Sequence, residues 1–537
     1  MGFLLPSVGI ATALVGVIWL MRRLSSSPPP LNAQQHDAPT VSHPLSERLV
    51  AALPQSVLLL HRDRELFRQS INTYFAGQER DVIQAAIVQP RSAHEVSTAI
   101  RILKKEYDRR QQPSTQAGDV LFAIRGGGQS PLRAAASAKG GVLIDLSHLR
   151  GVTVAEDRES VVIGAGCQWV DVTRVLDEMN LGVVGGRNAD VGVAGYILGG
   201  GLSFFTPTYG LACSNVLAYQ LVLASGEIVT ASATSHPDLW RALKGGSNNF
   251  GVVTQFTMPC FPVNPIWSGY IYAPASQYPK ALVALHENIK RIDPKTSGRE
   301  VDTHAAGPIV CFTYIPPLGL RVVSVRLAYT KPPEEPKQWP VFWKKSGFSA
   351  IWRYWSTHQL QTVTSAIEGM RQGCFPGKRW SFGTTTIKND LATIMATREV
   401  FEEAMGSLRK VKGSLWTIVM QPLLPSWTAK GDRSMIDLEK TTDDPLIIVN
   451  LSVDWDGAEN DEYVYLVIRG ILEQIDEVAE ANGTSHAYRY LNYCQAWQQP
   501  LEGYGKTNLH FLRDVSREYD PDGFFQRGCT GGFKLFP

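Results

Sequence analysis

The stretch FAIRGGGQSP, residues 122–131, places Arg125 and three consecutive glycines, Gly126, Gly127 and Gly128, at the end of an apolar run. Glycine loses more conformational freedom on folding than any other residue, so three in a row persist where backbone must come close to something. Such loops present N–H groups to anions, phosphates above all. Sixteen of the 47 glycines fall between Gly126 and Gly201, a segment that includes the second dense stretch VGVAGYILGGGLSFF (191–205). The chemistry indicated is enclosure of a large anionic ligand by bare backbone. Competing chemistries lack their residues. The seven cysteines are scattered with no C-x-x-C pair, and the histidines form no H-x-x-x-H pair, which argues against a metal enzyme and a disulfide framework. There is no Ser-His-Asp order, glycosidase-like carboxylate pair or phosphate-binding lysine motif.

Strands and helices must hold these loops. VLFAI (120–124) reads as a strand running straight into the glycines, and IQAAIVQP (83–90) as another stopped by Pro90. Between them, SAHEVSTAIRILKKEYD (92–108) has Val96, Ile100 and Leu103 at helical spacing and Ser92 as N-cap. GVLIDLSHL and SVVIGAG read as strands, QWVDVTRVLDEMN (168–180) as a helix, and VLAYQLVLASGEIVTAS (216–232) as a hairpin turning at Ser225, Gly226 and Glu227. HPDLWRALKGG is a helix ended by glycines, and NNFGVVTQFTMP a strand. Beyond Pro262 the strands lengthen, as in RVVSVRLAYT (321–330), LWTIVMQPLL (415–424) and PLIIVNLSVDW (445–455). With helices at 397–411 and 461–483, this part reads as a second α+β domain built on an antiparallel sheet.

At 537 residues, 44% hydrophobic and 19% charged, the chain has room for more than one globular domain. A net charge of +2 gives no electrostatic footprint for nucleic acid. Residues 2–21 are almost unbroken apolar sequence of bilayer-spanning length, followed by Arg22 and Arg23. Positive charge after the apolar run favours a single-pass anchor, residues 1–24, with the rest of the chain in the cytosol. The alternative is a cleaved secretory signal. Residues 25–80, which include SSSPPP, are expected to be linker and lead-in.

Several blocks stand together and in order: RGGGQS, VLIDLSHL, VVIGAGCQWVDV, GRNADVGVAGYILGGGLSFFTPTYGL, VLASGEIVTAS, HPDLWRALKGGSNNFGVVT, then YLNY and YDPDGFF. From about residue 80 to the C-terminus the chain resembles the FAD-linked oxidoreductases of the vanillyl-alcohol-oxidase type, in their berberine-bridge-enzyme-like branch common in fungi. The resemblance implies an α+β chain with a two-part FAD-binding domain of the PCMH type (81–262). A substrate-binding domain (263–485) and a C-terminal segment returning to the flavin (486–537) would follow. Arg125, Gly126, Gly127, Gly128, Gln129 and Ser130 would wrap the FAD pyrophosphate. Val191, Gly192, Gly195, Gly199, Gly200, Gly201 and Ser203 would pass close to flavin and diphosphate. Gly251, Val252 and Val253 would line the adenine end, and Asn492 would lie near the isoalloxazine.

The chain departs from the family pattern at telling positions. Gln129 stands where many relatives carry a flavin-linked histidine, and Asn188 or its neighbour where a second, cysteinyl tether would sit. Neither amide forms such a bond, so noncovalent FAD is expected. Tyr196 replaces a histidine, and Gln495 a carboxylate. Tyr490 and Tyr493, flanking Asn492, are the first candidates for a catalytic base, provided a neighbouring cation or hydrogen bond depresses the phenol. Asp454, Asp456 and Tyr209 are secondary candidates. The implied activity is two-electron oxidation or oxidative cyclisation of a hydrophobic small molecule, with molecular oxygen as acceptor. The alternative is a non-redox cyclase or isomerase reusing the fold.

Overall fold

The computed structural model describes residues 44–111, 120–298, 300–333, 335, 337–373, 377–411 and 413–536. The expected anchor and the SSSPPP linker lie outside them. Among the described residues no helix is long and apolar enough to cross a membrane.

The first part opens with helix α1 (Pro44–Ala52), strand β1 (Val57–Leu58), α2 (Arg64–Asn72), β2 (Ala86–Val88), α3 (Ala93–Arg110), β3 (Phe122–Arg125) and β4 (Val142–Asp145). Their strands form a sheet in the order β1-β2-β4-β3, parallel except for β1. Helix α3 starts where Ser92 Oγ accepts the Glu95 N–H, and it buries Val96, Ile100, Leu103 and Tyr107 on one face. Residues 44–74 pack on this sheet rather than preceding it, with Phe67, Ile71 and Tyr74 in a separate cluster on Ile87, Ala123 and Leu143. β1 extends the sheet, Leu45, Leu49 and Leu53 join the core, and Arg48 of α1 pairs with Glu106 of α3 at 2.5 Å. Their helical spacing was legible, whereas a two-residue strand carries too little pattern to announce a pairing.

At the end of β3, Arg125 lies opposite Asp145, the last residue of β4. Both are buried, 2% and 1% exposed, and Arg125 Nη2 stands 2.6 Å from Asp145 Oδ2. Arg125 also donates to the Ser70 hydroxyl at 2.6 Å and to the Ser70 carbonyl at 2.9 Å, with the Tyr74 ring 4.3 Å away. Burial alone would raise the Asp145 carboxyl, but the guanidinium outweighs it and holds the group below its ordinary value.

Five antiparallel strands follow: β5 (Val152–Val154), β6 (Ser160–Gly164), β7 (Ala218–Val222), β8 (Ile228–Ser232) and β9 (Val252–Pro259), ordered β5-β6-β9-β7-β8. Between β6 and β7 lie α4 (Trp169–Glu178), opened by a capping box of Gln168 and Asp171, and the short α5 (Val193–Leu198). The expected hairpin is present as β7–β8, and α6 (Pro237–Leu243) follows it.

The next part is an eight-stranded sheet of β10 (Ile266–Pro274), β11 (Ala305–Ile315), β12 (Leu320–Tyr329), β13 (Trp355–Ser356), β14 (Gln359–Gln361), β15 (Arg379–Lys388), β16 (Leu415–Leu423) and β17 (Leu446–Trp455). Its path is β13-β10-β12-β11-β16-β17-β15, with β14 also on β10, and every pairing is antiparallel. One face, including Val323, Val325, Leu327, Ile418, Met420, Val449 and Leu451, shares a core with residues of α7 (Tyr278–Ile292), α8 (Leu391–Leu408) and α9 (Asp461–Ala481). Strand alternation therefore turns Ser324, Arg326, Val419 and Gln421 to the other face, toward the first part of the chain. After α10 (Lys506–Tyr519) the tail returns to the first sheet, where the Thr530 N–H donates to the Phe122 carbonyl at 2.8 Å.

Two stability predictions follow from the buried charges. Asp145→Ala leaves Arg125 uncompensated and should cost about 3–5 kcal/mol in urea denaturation; an unchanged midpoint would show that the pair does not anchor the loop. Glu106 accepts from Arg109, whose hydrogen bond is the largest influence and outweighs burial, while Arg48 and Arg110 add to it, so its carboxyl sits at about 2 instead of 4.5. A depressed carboxyl contributes stability above its unfolded value and loses it as pH falls. The wild type should accordingly lose more stability than Glu106→Gln between pH 4.5 and 2, measured as Tm against pH.

Candidate active site

A cavity of about 310 Å³ opens between the glycine loops, the C-terminal segment and the open face of the large sheet. Fourteen of the expected residues line it: Gly126, Gly127, Gly128, Gln129, Ser130, Val191, Gly192, Gly195, Gly251, Val252, Val253, Tyr490, Asn492 and Tyr493. Segments remote in sequence thus meet around one space.

Five expected residues do not reach the wall. Arg125 turns away to Asp145, so it braces the loop from behind. A Cβ on Gly199 would lie 2.2 Å from Asn492 Oδ1, and one on Gly201 2.7 Å from Tyr196 and Ala212. Gly199 and Gly201 therefore admit neighbouring side chains, and Gly200, between them, packs beside Ile436. Ser203 is buried in a turn, its hydroxyl accepting the Phe205 N–H at 3.2 Å.

The wall also holds residues that the sequence reading missed, among them Arg187, Asn248, Met370, Phe382, Gly532 and Phe533. A signal existed for the tail, because Gly531 and Gly532 mark another close approach. A Cβ at Gly531 would lie 1.9 Å from the Ala135 carbonyl oxygen. Arg187, Met370 and Phe382 sit in no glycine-rich pattern and are brought in by tertiary packing.

The residues present fit FAD. Gly127 and Gly192 touch so closely that a Cβ on the first would lie 2.5 Å from the Cα of the second. Among the described residues, the N–H groups of Gly127, Gly128, Gln129 and Ser130 have no protein acceptor. Open donors on a glycine backbone suit a diphosphate, and the predominantly apolar remainder of the wall suits aromatic rings. Gln129 is half-buried beside these donors.

At the other end, Asn492 Nδ2 donates to the Tyr196 carbonyl at 3.1 Å and to the Tyr490 hydroxyl at 3.3 Å. Tyr490 meets Tyr493 edge-on at 4.7 Å, and Tyr493 meets Phe382 edge-on at 5.8 Å. Burial raises the Tyr490 phenol and Tyr493 adds to the rise, outweighing Asn492 and Arg187. The condition for a phenolate base is therefore not met at Tyr490, whose neutral hydroxyl is fitted to donate. Burial likewise raises the Cys494 thiol in this wall. No aspartate, glutamate or histidine is among the lining residues described.

The secondary candidates lie elsewhere. Asp454 is fully buried, 3.0 Å from Lys378, and burial pushes its carboxyl up to about 6. Asp456 is exposed, and Tyr209 stacks on Phe261 at 4.2 Å. Tyr196 lines the cavity and donates its hydroxyl to the Gly185 carbonyl at 3.1 Å. Gln495 is buried and donates to Ser381.

A family model described as an FAD binding domain matches residues 84–232. The chain is 34% identical over 505 residues to the FAD-dependent monooxygenase sdcF of Emericella nidulans, covering 91% of this chain and 99% of that protein. Among solved structures, 6-hydroxy-D-nicotine oxidase of Arthrobacter nicotinovorans superposes with a TM-score of 0.70 at 20% identity, covering 90% of this chain and 98% of that one. A berberine bridge enzyme in complex with (S)-reticuline superposes with a TM-score of 0.66 at 16% identity, covering 91% and 99%. These likenesses extend the shared fold across both parts of the chain.

The Gly127–Gly192 contact gives a direct test. Gly127→Ala pushes a methyl into backbone, and overpacking of this kind should weaken FAD retention by about tenfold or more. The ratio of flavin to protein absorbance after desalting measures it; full retention would mean that the two loops need not touch.

Proposed function

The chain belongs to the FAD-linked oxidoreductases of the vanillyl-alcohol-oxidase type, in their berberine-bridge-like branch, and on that premise we propose that it performs a two-electron oxidation of a hydrophobic small molecule in specialised-metabolite biosynthesis. Molecular oxygen is the proposed acceptor. The observation that carries this reading is the cavity itself, where the N–H donors of Gly127 to Ser130 have no acceptor among the described residues and Tyr490, Tyr493 and Phe382 stand within one wall.

Bound FAD supplies an acceptor for a hydride equivalent. The glycine loop would hold its diphosphate, Gly251, Val252 and Val253 would flank the adenine end, and Asn492 would orient the region near the ring. Tyr490 acts as a hydrogen-bond donor to the substrate, and Tyr493 and Phe382 exclude water from the reacting face. Attachment is noncovalent, since Gln129 and Asn188 offer amides and burial keeps the Cys494 thiol protonated. The apolar segment 2–21 anchors the enzyme in a membrane, with the catalytic part cytosolic. The lack of a carboxylate or histidine base in the described wall favours a second reading, a ring closure without net redox change.

Protein expressed without residues 1–24 should be yellow, and acid precipitation should release the flavin to the supernatant. Colour kept in the pellet would refute noncovalent attachment. Folded, colourless protein that cannot be reconstituted with FAD would refute the oxidase. Bleaching of the flavin by substrate without oxygen separates oxidation from redox-neutral cyclisation.

A further inference from the structure

Among the described lining residues, Arg187 is the one charged side chain. Its Nη2 donates to Gln421 Oε1 at 2.7 Å, and it forms no ion pair with a described residue. The neighbouring acid, Asp190, is held by Arg371. Behind Arg187 stands Arg326 of β12, 3% exposed, whose Nη1 donates to the Arg187 carbonyl at 3.1 Å and whose Nη2 donates to the Ala366 carbonyl at 2.6 Å. Its Nε is buried without a partner. The rings of Phe204 and Tyr270 lie 4.7 and 5.4 Å from its guanidinium carbon. Every one of these partners is neutral.

Two adjacent guanidiniums without a carboxylate are costly, because arginine does not shed its proton and a buried charge needs a counter-charge. Burial opposes the charge on Arg326, and Arg187 opposes it further. Gln421, 2% exposed on the open face of the sheet, fixes one arm of the Arg187 fork. The unmatched positive charge therefore adjoins the cavity through Arg187.

We infer that the substrate carries an acidic oxygen, as a carboxylic acid, enol or phenol, and is held as its oxyanion by Arg187 with Gln421 beside it. Arg326 is a positioning residue that holds the Arg187 backbone and adds positive field. This deepens the proposed function and rests on that reading of the cavity. It also gives the base-free wall a reason, since an ionised enol or phenol arrives without the proton that a base would remove. Oxidised flavin has a neutral ring system, so an anion bound to the oxidised enzyme is a ligand separate from the cofactor's reduced form.

Calorimetric titration of the oxidised holoprotein with 2-naphthoate and with neutral 2-naphthamide tests the inference, with flavin content measured on the same sample. Naphthoate should bind about tenfold or more tightly than the amide, as a charge-assisted fork contact predicts. Arg187→Gln should abolish the preference while retaining flavin, and Arg187→Lys should keep part of it. Arg326→Met should reduce the preference and leave amide affinity unchanged, which a purely structural role would not do. Equal affinities, no naphthoate binding, or a preference surviving in Arg187→Gln would overturn the inference. Protein lacking flavin defeats the oxidase reading instead, and the naphthoate preference of that sample still decides the charge assignment.

Discussion

Arg125 and Asp145 face each other at the ends of neighbouring parallel strands, and the glycine loop is fastened to that pair. The loop gives up side chains so that its N–H groups stay open, and so has little of its own to pack. Its fixed point lies behind it, where the ion pair binds strand ends to Ser70 of the preceding helix. The cost of desolvating both charges is offset by this dense set of hydrogen bonds, which also defines where the strand stops and the loop begins. From there the Gly127–Gly192 contact transmits the position to the second loop, and Gly199 transmits it to Asn492.

The large sheet contributes differently. One face is committed to the helices, and the other, freed by alternation, forms the far side of the cavity. Apolar residues on that face would have been cheaper to bury. Arg326 and Gln421 are retained there, fully enclosed and pointing toward the loops. Scaffold and recognition are therefore divided between the parts, with bare backbone on one side and polar side chains in an apolar sheet on the other.

Much of this was legible beforehand because it follows local rules. Ser92 caps its helix, the Ser225–Glu227 turn closes its hairpin, and the glycine clusters mark most of one wall. Illegible features were those that depend on distant partners. Arg125 sits directly before the glycines and reads as a ligand contact, yet its carboxylate is twenty residues away on another strand. Arg187 and Arg326 are unremarkable in sequence, and only folding brings them together, with neither in an ion pair to a described residue. Tyr490 and Tyr493 were legible as neighbours of Asn492, but the burial that raises the Tyr490 phenol belongs to the tertiary structure.

The first sheet is closed from both ends of the chain. β1 borders β2 on one side, and beyond β3 the residues around Cys529 bridge to Phe122 on the other. During synthesis the β3 edge, with its unpaired backbone groups, must wait for several hundred residues to be added before its cover exists. Nascent chains therefore carry an open, adhesive strand edge throughout elongation. The cavity shares this order of assembly, since Gly532 and Phe533 enter its wall several hundred residues after the glycine loop that they face.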